Sequence, residues 1–360
     1  MENFTHGGNV FAVARQLGVP PEEILDFSAS INPLGPPTAV RGAVEAAFDR
    51  LGHYPDSDSS ELAAALARRH GCEPGNVCVG NGSTELIHLL PRLVVGQRAL
   101  IIAPAFSEYA GALRQARWEY DWLALSGDDG FSLPLDAVRE KLAKGYGLLF
   151  LCNPGNPTGR LYGKEEVAEI LAVCRSAGTL LVVDEAFIDF CGEASVLRPV
   201  IESGAGVVLR SMTKFYAIPG LRLGYALAAA PLAARLAALR MPWSVNTLAQ
   251  AAGLAALADD GHAGRTLAWL TEEREFLCAG LSALPGLRVW PGAANYLLAR
   301  LDGGMTAAQL QERLLPERIL IRDCANFHGL DGRFFRVAVR TRQENERLVD
   351  ALREILGQGE

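Results

Sequence analysis

The sequence has no paired cysteines. Its seven lie at 72, 78, 152, 174, 191, 278 and 324, and no two make a CxxC or any repeated spacing. That excludes a disulfide framework or a zinc ribbon and suits isolated buried thiols in a reducing cytosol. Long apolar runs are missing too. The Ala/Leu-rich stretches are broken by Arg and Pro, which excludes a membrane-spanning helix. Positive charge is in deficit, with 34 Lys and Arg against 41 Asp and Glu, a net charge of −7. Such a balance leaves no electrostatic footprint for nucleic acid or an anionic membrane. The opening Met-Glu-Asn-Phe-Thr-His has neither a basic n-region nor an apolar h-region, so a cytoplasmic protein is expected. The six histidines form no metal-ligand cluster, and there are no repeats or low-complexity tails. What remains is ordinary globular composition: 49% apolar and 21% charged residues over 360 positions. That length suits two or three domains of roughly 100–200 residues each.

From about 75 to 245, short apolar runs alternate with helical stretches. The runs are 77–79, 100–102, 148–151, 180–183 and 207–209, and the helices lie near 83–94, 106–116, 164–176 and 231–240. This predicts an α/β fold with a mostly parallel sheet covered on both faces, binding its ligand at the carboxyl ends of the strands. Upstream, a stretch ending at Leu17 and another over 39–48 read as helices, and Ser59 and Ser60 as caps of a helix over 61–69. After 245 come Ala/Leu/Arg helices at 247–258 and 264–283. Short strands near 287–290, 296–298, 319–321 and 335–338 follow, and a helix near 343–356 closes a smaller α+β domain. The expected division is an N-terminal segment (1–45) packing with the small domain and the active site, a large domain (46–250) and a small domain (251–360).

The unusual residues fall at the strand ends. Gly80-Asn-Gly-Ser-Thr-Glu85 enters a helix, so Gly82, Ser83 and Thr84 present free N–H groups and hydroxyls to an anion. It is not a dinucleotide fingerprint, because Glu85 replaces the third glycine. The Lys-Glu at 164–165 misses a P-loop for similar reasons: Gly159 is one residue too close to Gly163, and Glu165 replaces Ser/Thr. Phe106 and Tyr109 follow the next run, and either could cover a planar ligand. Asn156 sits in the loop Cys152-Asn-Pro-Gly-Asn-Pro-Thr-Gly159, and Asp184 ends a buried strand, where a carboxylate is costly unless paired. Lys214 follows the last run, between hydroxyls Ser211 and Thr213 and eight residues before Arg222. Alone, it could be a solvated lysine. Desolvation and a nearby cation would instead push its pKa down and leave an amine able to attack a carbonyl.

Asn156, Asp184 and Lys214 in this order, after a phosphate-type loop, resemble the fold-type-I pyridoxal-phosphate enzymes of the aspartate aminotransferase superfamily. The resemblance runs over essentially the whole chain. It implies the PLP-dependent transferase fold, pyridoxal 5′-phosphate as cofactor and a homodimer with shared active sites. Lys214 would carry the cofactor, Asp184 would pair with its ring nitrogen, and Asn156 would bond its ring oxygen. Gly82, Ser83, Thr84, Ser211, Thr213 and Arg222 would surround the phosphate, with Tyr54 reaching in from a second subunit and Phe106 (or Tyr109) stacking on the ring. Arg336 would clamp a substrate carboxylate.

His6-Gly-Gly-Asn9, Phe27-Ser-Ala-Ser-Ile-Asn-Pro-Leu-Gly35, Ile321-Arg-Asp-Cys-Ala-Asn-Phe327 and Phe335-Arg-Val-Ala-Val-Arg340 narrow the match. They resemble the branch that holds the histidinol-phosphate aminotransferases and the threonine-phosphate decarboxylases of cobalamin synthesis, nearer the latter. This places His6, Gly7, Asn32, Asn156, Arg322 and Arg336 on a small phosphorylated amino-acid substrate, with His6, Gly7 and Arg322 at the phosphate. Phe187 stands where the aminotransferases usually have Tyr, which leans the same way. The expected reaction is decarboxylation of O-phospho-L-threonine; the alternatives are an aminotransferase and, remotely, a cofactor-sensing regulator.

Overall fold

The computed structural model describes residues 6–357. Strand β1 (Leu25–Asp26) precedes the main sheet of seven strands: β2 (Val77–Gly80), β3 (Arg98–Ala103), β4 (Glu119–Ala124), β5 (Leu148–Cys152), β6 (Leu180–Asp184), β7 (Gly206–Ser211) and β8 (Gly224–Ala228). Their order is β2-β8-β7-β6-β5-β3-β4, and only β8 runs against its neighbours. Successive strand residues face opposite sides. Leu149, Leu181, Val183 and Val208 enter one apolar core, while Leu148, Phe150, Val182 and Leu209 enter a second on the other face. Two buried faces explain the unbroken apolar runs.

Two strands of this main sheet are absent from the sequence reading. β4 is the sheet's edge, half-exposed along Glu-Tyr-Asp-Trp-Leu-Ala, so it lacks the continuous apolar signature. β8 follows directly on the Pro-Gly-Leu-Arg-Leu motif and is packed between β2 and β7. The helix Leu135–Leu142 between β4 and β5 is also additional. The cap of helix Ser60–His70 needs correction: Asp56 Oδ2 accepts from Ser60 N–H at 2.7 Å, while the Ser59 hydroxyl is buried without a partner among the described residues.

Beyond the helices Thr247–Leu257 and Asp260–Ser282, strands β9 (Leu287–Trp290), β10 (Tyr296–Leu301), β12 (Arg322–Asp323) and β13 (Phe334–Ala338) form an antiparallel sheet in the order β12-β13-β10-β9. The N-terminal segment is tied to this region. β1 pairs in parallel with β11 (Ile319–Leu320), and Phe27 O accepts from Ala338 N–H at 2.9 Å. Parallel running of β2, β3, β5, β6 and β7 brings Gly80, Ala103, Cys152, Asp184 and Ser211 to one edge, and Arg322 and Arg336 face each other in register across β12 and β13.

Candidate active site

Along that edge lies a cavity of about 600 Å³. His6, Gly7, Ser83, Thr84, Phe106, Asn156, Asp184, Thr213, Lys214, Arg222, Arg322 and Arg336 all line it, so residues far apart along the chain converge there.

Asp184 ends β6 and is 4% exposed. Its Oδ2 accepts from the Tyr109 hydroxyl at 2.6 Å and its Oδ1 from Ala186 N–H at 3.0 Å. Burial pushes the carboxyl's pKa up, and these two donors oppose the shift. An ionised carboxylate there calls for a cation beside it. Tyr109 therefore supports the acid rather than covering a ligand: it is fully buried, stacked on Phe150 at 5.0 Å, and only Phe106 of the two aromatics reaches the cavity.

Lys214 lies just beyond β7, its Nζ 3.3 Å from Ser211 Oγ, which is in turn 2.8 Å from Thr213 Oγ1. Burial lowers the amine's pKa to about 8; Arg222 and Arg336 add to the effect and Asp184 opposes it. That is the poised amine anticipated from the residue types alone.

The anion cradle is built by small residues. Ser83 and Thr84 open helix Gly82–Leu89, whose N-terminus offers its N–H groups and positive dipole end. Gly82, at φ +76°, leaves room for the Arg222 guanidinium, which would lie 2.8 Å from a Cβ there. Gly224 on β8 passes so close that a Cβ would sit 2.4 Å from Ser83 N. Gly82 and Ser211 do not themselves line the cavity, but Gly82 adjoins Ser83 and the Ser211 hydroxyl contacts Lys214, both of which do. This donor set fits pyridoxal phosphate: an anion site, a buried carboxylate for a cationic ring nitrogen, and an amine between them.

Arg336 is 6% exposed, donates to Ser28 O at 2.9 Å through Nη2 and to Asn156 Oδ1 through Nη1, and its Nε has no partner among the described residues. Arg322 lies against the Phe327 ring at 5.0 Å and donates to Asp323 O and Asn326 Oδ1 at 2.6 and 2.8 Å. Phe187 offers only an apolar ring, 5.8 Å from Lys214 Nζ and edge-on to Tyr296.

Two expectations fare differently. Asn32 does not reach the cavity. It is 2% exposed, its Nδ2 donates to Phe215 O and Thr266 Oγ1 at 2.9 Å each, and its backbone N–H donates to Lys214 O at 3.1 Å. It buttresses the lysine segment from behind, and its amide donors are spent on protein. Tyr54 lies away from this cavity, 78% exposed and stacked on Trp243 at 4.5 Å. The sequence reading also passed over Glu108, whose carboxylate lines the cavity. Its only signal was a charged residue between the two aromatics at 106 and 109.

Residues 22–352 match the model of the class I and II aminotransferases. The chain belongs to that family. Among its relatives, the threonine-phosphate decarboxylase of Salmonella typhimurium is 45% identical over 98% of this chain and 97% of its own. The adenosylcobalamin biosynthesis bifunctional protein of Leptospira interrogans is 34% identical over 97% of this chain and 41% of its own. The histidinol-phosphate aminotransferase of Clostridium acetobutylicum superposes with a TM-score of 0.87 at 29% identity, covering 92% of this chain and 99% of that one. As a family member the chain has the expected PLP-dependent transferase fold, a mostly parallel large sheet beside a smaller antiparallel one. Among the described residues, no helix is long and apolar enough to cross a membrane.

Proposed function

We propose that this chain is a pyridoxal-phosphate-dependent carboxy-lyase that converts O-phospho-L-threonine to (R)-1-amino-2-propanol phosphate and CO2 in cobalamin biosynthesis. The observation that carries it is two buried arginines, Arg322 and Arg336, lining one cavity with Lys214 and His6. A substrate with a carboxylate and a phosphate matches two guanidinium groups in one cavity. Similarity to the Salmonella decarboxylase over nearly the full length supports the same reading.

When bound, the cofactor supplies an electron sink for the pair left behind when a bond to the substrate's α-carbon breaks. Ser83, Thr84 and Arg222 would hold its phosphate, with Gly82, Ser211 and Thr213 shaping the cradle. Lys214 would hold its aldehyde carbon, Phe106 would cover its ring, and Asn156 would meet its ring oxygen. Asp184, fixed by Tyr109 and Ala186, would keep its ring nitrogen charged. Arg336 presents two N–H groups as a fork to the substrate carboxylate. Arg322, with His6 and Gly7, would hold the phosphate end. Fixing both ends would set which bond to the α-carbon is aligned with that electron sink, and orientation of that kind decides which bond breaks. Lys214 Nζ, freed once the substrate's own amine takes its place, would supply the proton that replaces the lost carboxylate on the α-carbon, and burial keeps its pKa at about 8.

Tyr54, with Phe48, Leu51, Met241 and Trp243 also exposed, fits a surface that a second copy covers; Tyr54 would then reach the partner's cofactor phosphate.

Mass spectrometry of two reactions tests the function. One contains O-phospho-L-threonine alone and the other histidinol phosphate with 2-oxoglutarate. Aminopropanol phosphate at catalytic turnover, lost in Lys214→Ala, is the expected result. Glutamate from the second mixture without product in the first would assign an aminotransferase instead.

A further inference from the structure

One ionisable group at the cavity has no role so far. Glu108 opens helix Glu108–Gln115, two residues after Phe106, and its carboxylate lines a cavity that must accept an anionic phosphate. A bare carboxylate there would repel the substrate. Glu108 is not bare. Its Oε1 lies 3.0 Å from His6 Nε2 and its Oε2 3.0 Å from His88 Nε2. Hydrogen bonds from His6 and then His88 hold its pKa down at about 2, so it stays ionised. His88 Nδ1 lies 3.1 Å from Gln115 Oε1, completing a chain Gln115–His88–Glu108–His6 that ends at the cavity. The His6 ring also packs on Phe106 at 5.6 Å between centroids.

The segment carrying His6 is pinned just beyond it. Gly8 N–H donates to Ser28 Oγ at 2.7 Å, and a Cβ on Gly7 would lie 2.2 Å from Ser28 O. With Nε2 engaged by Glu108, Nδ1 is the nitrogen left to meet a ligand.

We propose that Glu108 is a positioning residue for the substrate phosphate, orienting the His6 ring through Nε2 so that Nδ1 donates to a phosphate oxygen beside Arg322. This rests on the phosphorylated-substrate reading above. It accounts for an acid in an anion site: the carboxylate acts through the imidazole, and both of its oxygens are already occupied.

Glu108→Gln keeps the size and one acceptor but drops the charge. With holoenzyme and O-phospho-L-threonine, KM rises roughly tenfold, on the scale of one charge-assisted hydrogen bond, while kcat changes far less. Calorimetric titration of the same compound reads the loss independently of turnover. In a His6→Gln background, adding Glu108→Gln leaves KM unmoved, because the two residues act as one unit. An unchanged KM in the single variant, or the same rise in both backgrounds, overturns the proposal. If wild type processes histidinol phosphate instead, the decarboxylase reading falls, and the same split measured on histidinol phosphate still supports Glu108. Wild type that binds neither compound overturns both.

Discussion

Replacing Tyr109 by Phe removes one oxygen and asks how Asp184 is kept ready for a cation. The Tyr109 hydroxyl donates to Oδ2 at 2.6 Å, a distance typical of a bond to an ionised acceptor. Tyr109 is 0% and Asp184 4% exposed, so no bulk water replaces the lost donor. A hydrogen bond to a charged group is worth about 1.5–3 kcal/mol, and a neutral one about 1 kcal/mol. Without cofactor, the buried carboxyl can take up a proton and needs only the weaker bond. With a cationic ring nitrogen beside it, it must be ionised and uses the stronger one. Cofactor binding gains the difference, about 0.5–2 kcal/mol, so the variant should bind pyridoxal phosphate about two- to thirtyfold more weakly. The phenyl ring keeps its stack on Phe150, and the cofactor-free protein should lose only about 1 kcal/mol. Absorbance titration of the apoprotein gives the Kd and thermal unfolding gives the second number. A Kd equal to wild type alongside a lowered Tm would refute the reasoning and leave Tyr109 a packing residue.

Three further outcomes follow from the same geometry. Lys214 has its pKa lowered from 10.5 to about 8, so its charged form destabilises the folded apoprotein fully below pH 8 and progressively less up to about 10.5. Apo Lys214→Met, besides losing turnover, should therefore melt above wild type near pH 7, with the gap closing toward pH 10 in a Tm-versus-pH series. Arg336→Lys replaces a fork that reaches Ser28 and Asn156 with a point charge. Steady-state kinetics should show kcat/KM for O-phospho-L-threonine falling by roughly 2 kcal/mol or more of transition-state stabilisation, with the Asn156 amide left unpaired. Gly224→Ala forces a methyl against Ser83 N and Gly82 C, both backbone atoms. Denaturant unfolding should register a loss of about 1–3 kcal/mol and cofactor titration a weaker Kd, since the strand and the helix N-terminus must part.

The centre of the large sheet was legible because β5, β6 and β7 are buried on both faces, which leaves an unbroken apolar run. β4 was not, because an edge strand with half-exposed Tyr120 and Trp122 carries no such run. The strand-end chemistry was equally readable, because an amine among hydroxyls, an acid after a buried strand and a Gly/Ser/Thr helix entry are each local signals spanning only a few residues. Asn32 misled because a motif match names a residue without saying which way it points. Its side chain turned out to be consumed by Phe215 and Thr266.

The sequence by itself determined the local conformations, the alternation of strand and helix, and the residue types delivered to the carboxyl edge of the sheet. These depend on period, burial and turn chemistry over short spans. Only the tertiary structure decided the partners. Tyr109 meets Asp184 across 75 positions, Arg336 meets Asn156 across 180, and Glu108 takes up His6 from the N-terminal segment. Which distant donor reaches a given acceptor depends on strand order and on how β1 and β12 dock beside the large sheet. A desolvated acid, amine or guanidinium takes its pKa and orientation from those packed neighbours, and that environment exists only once the chain has folded.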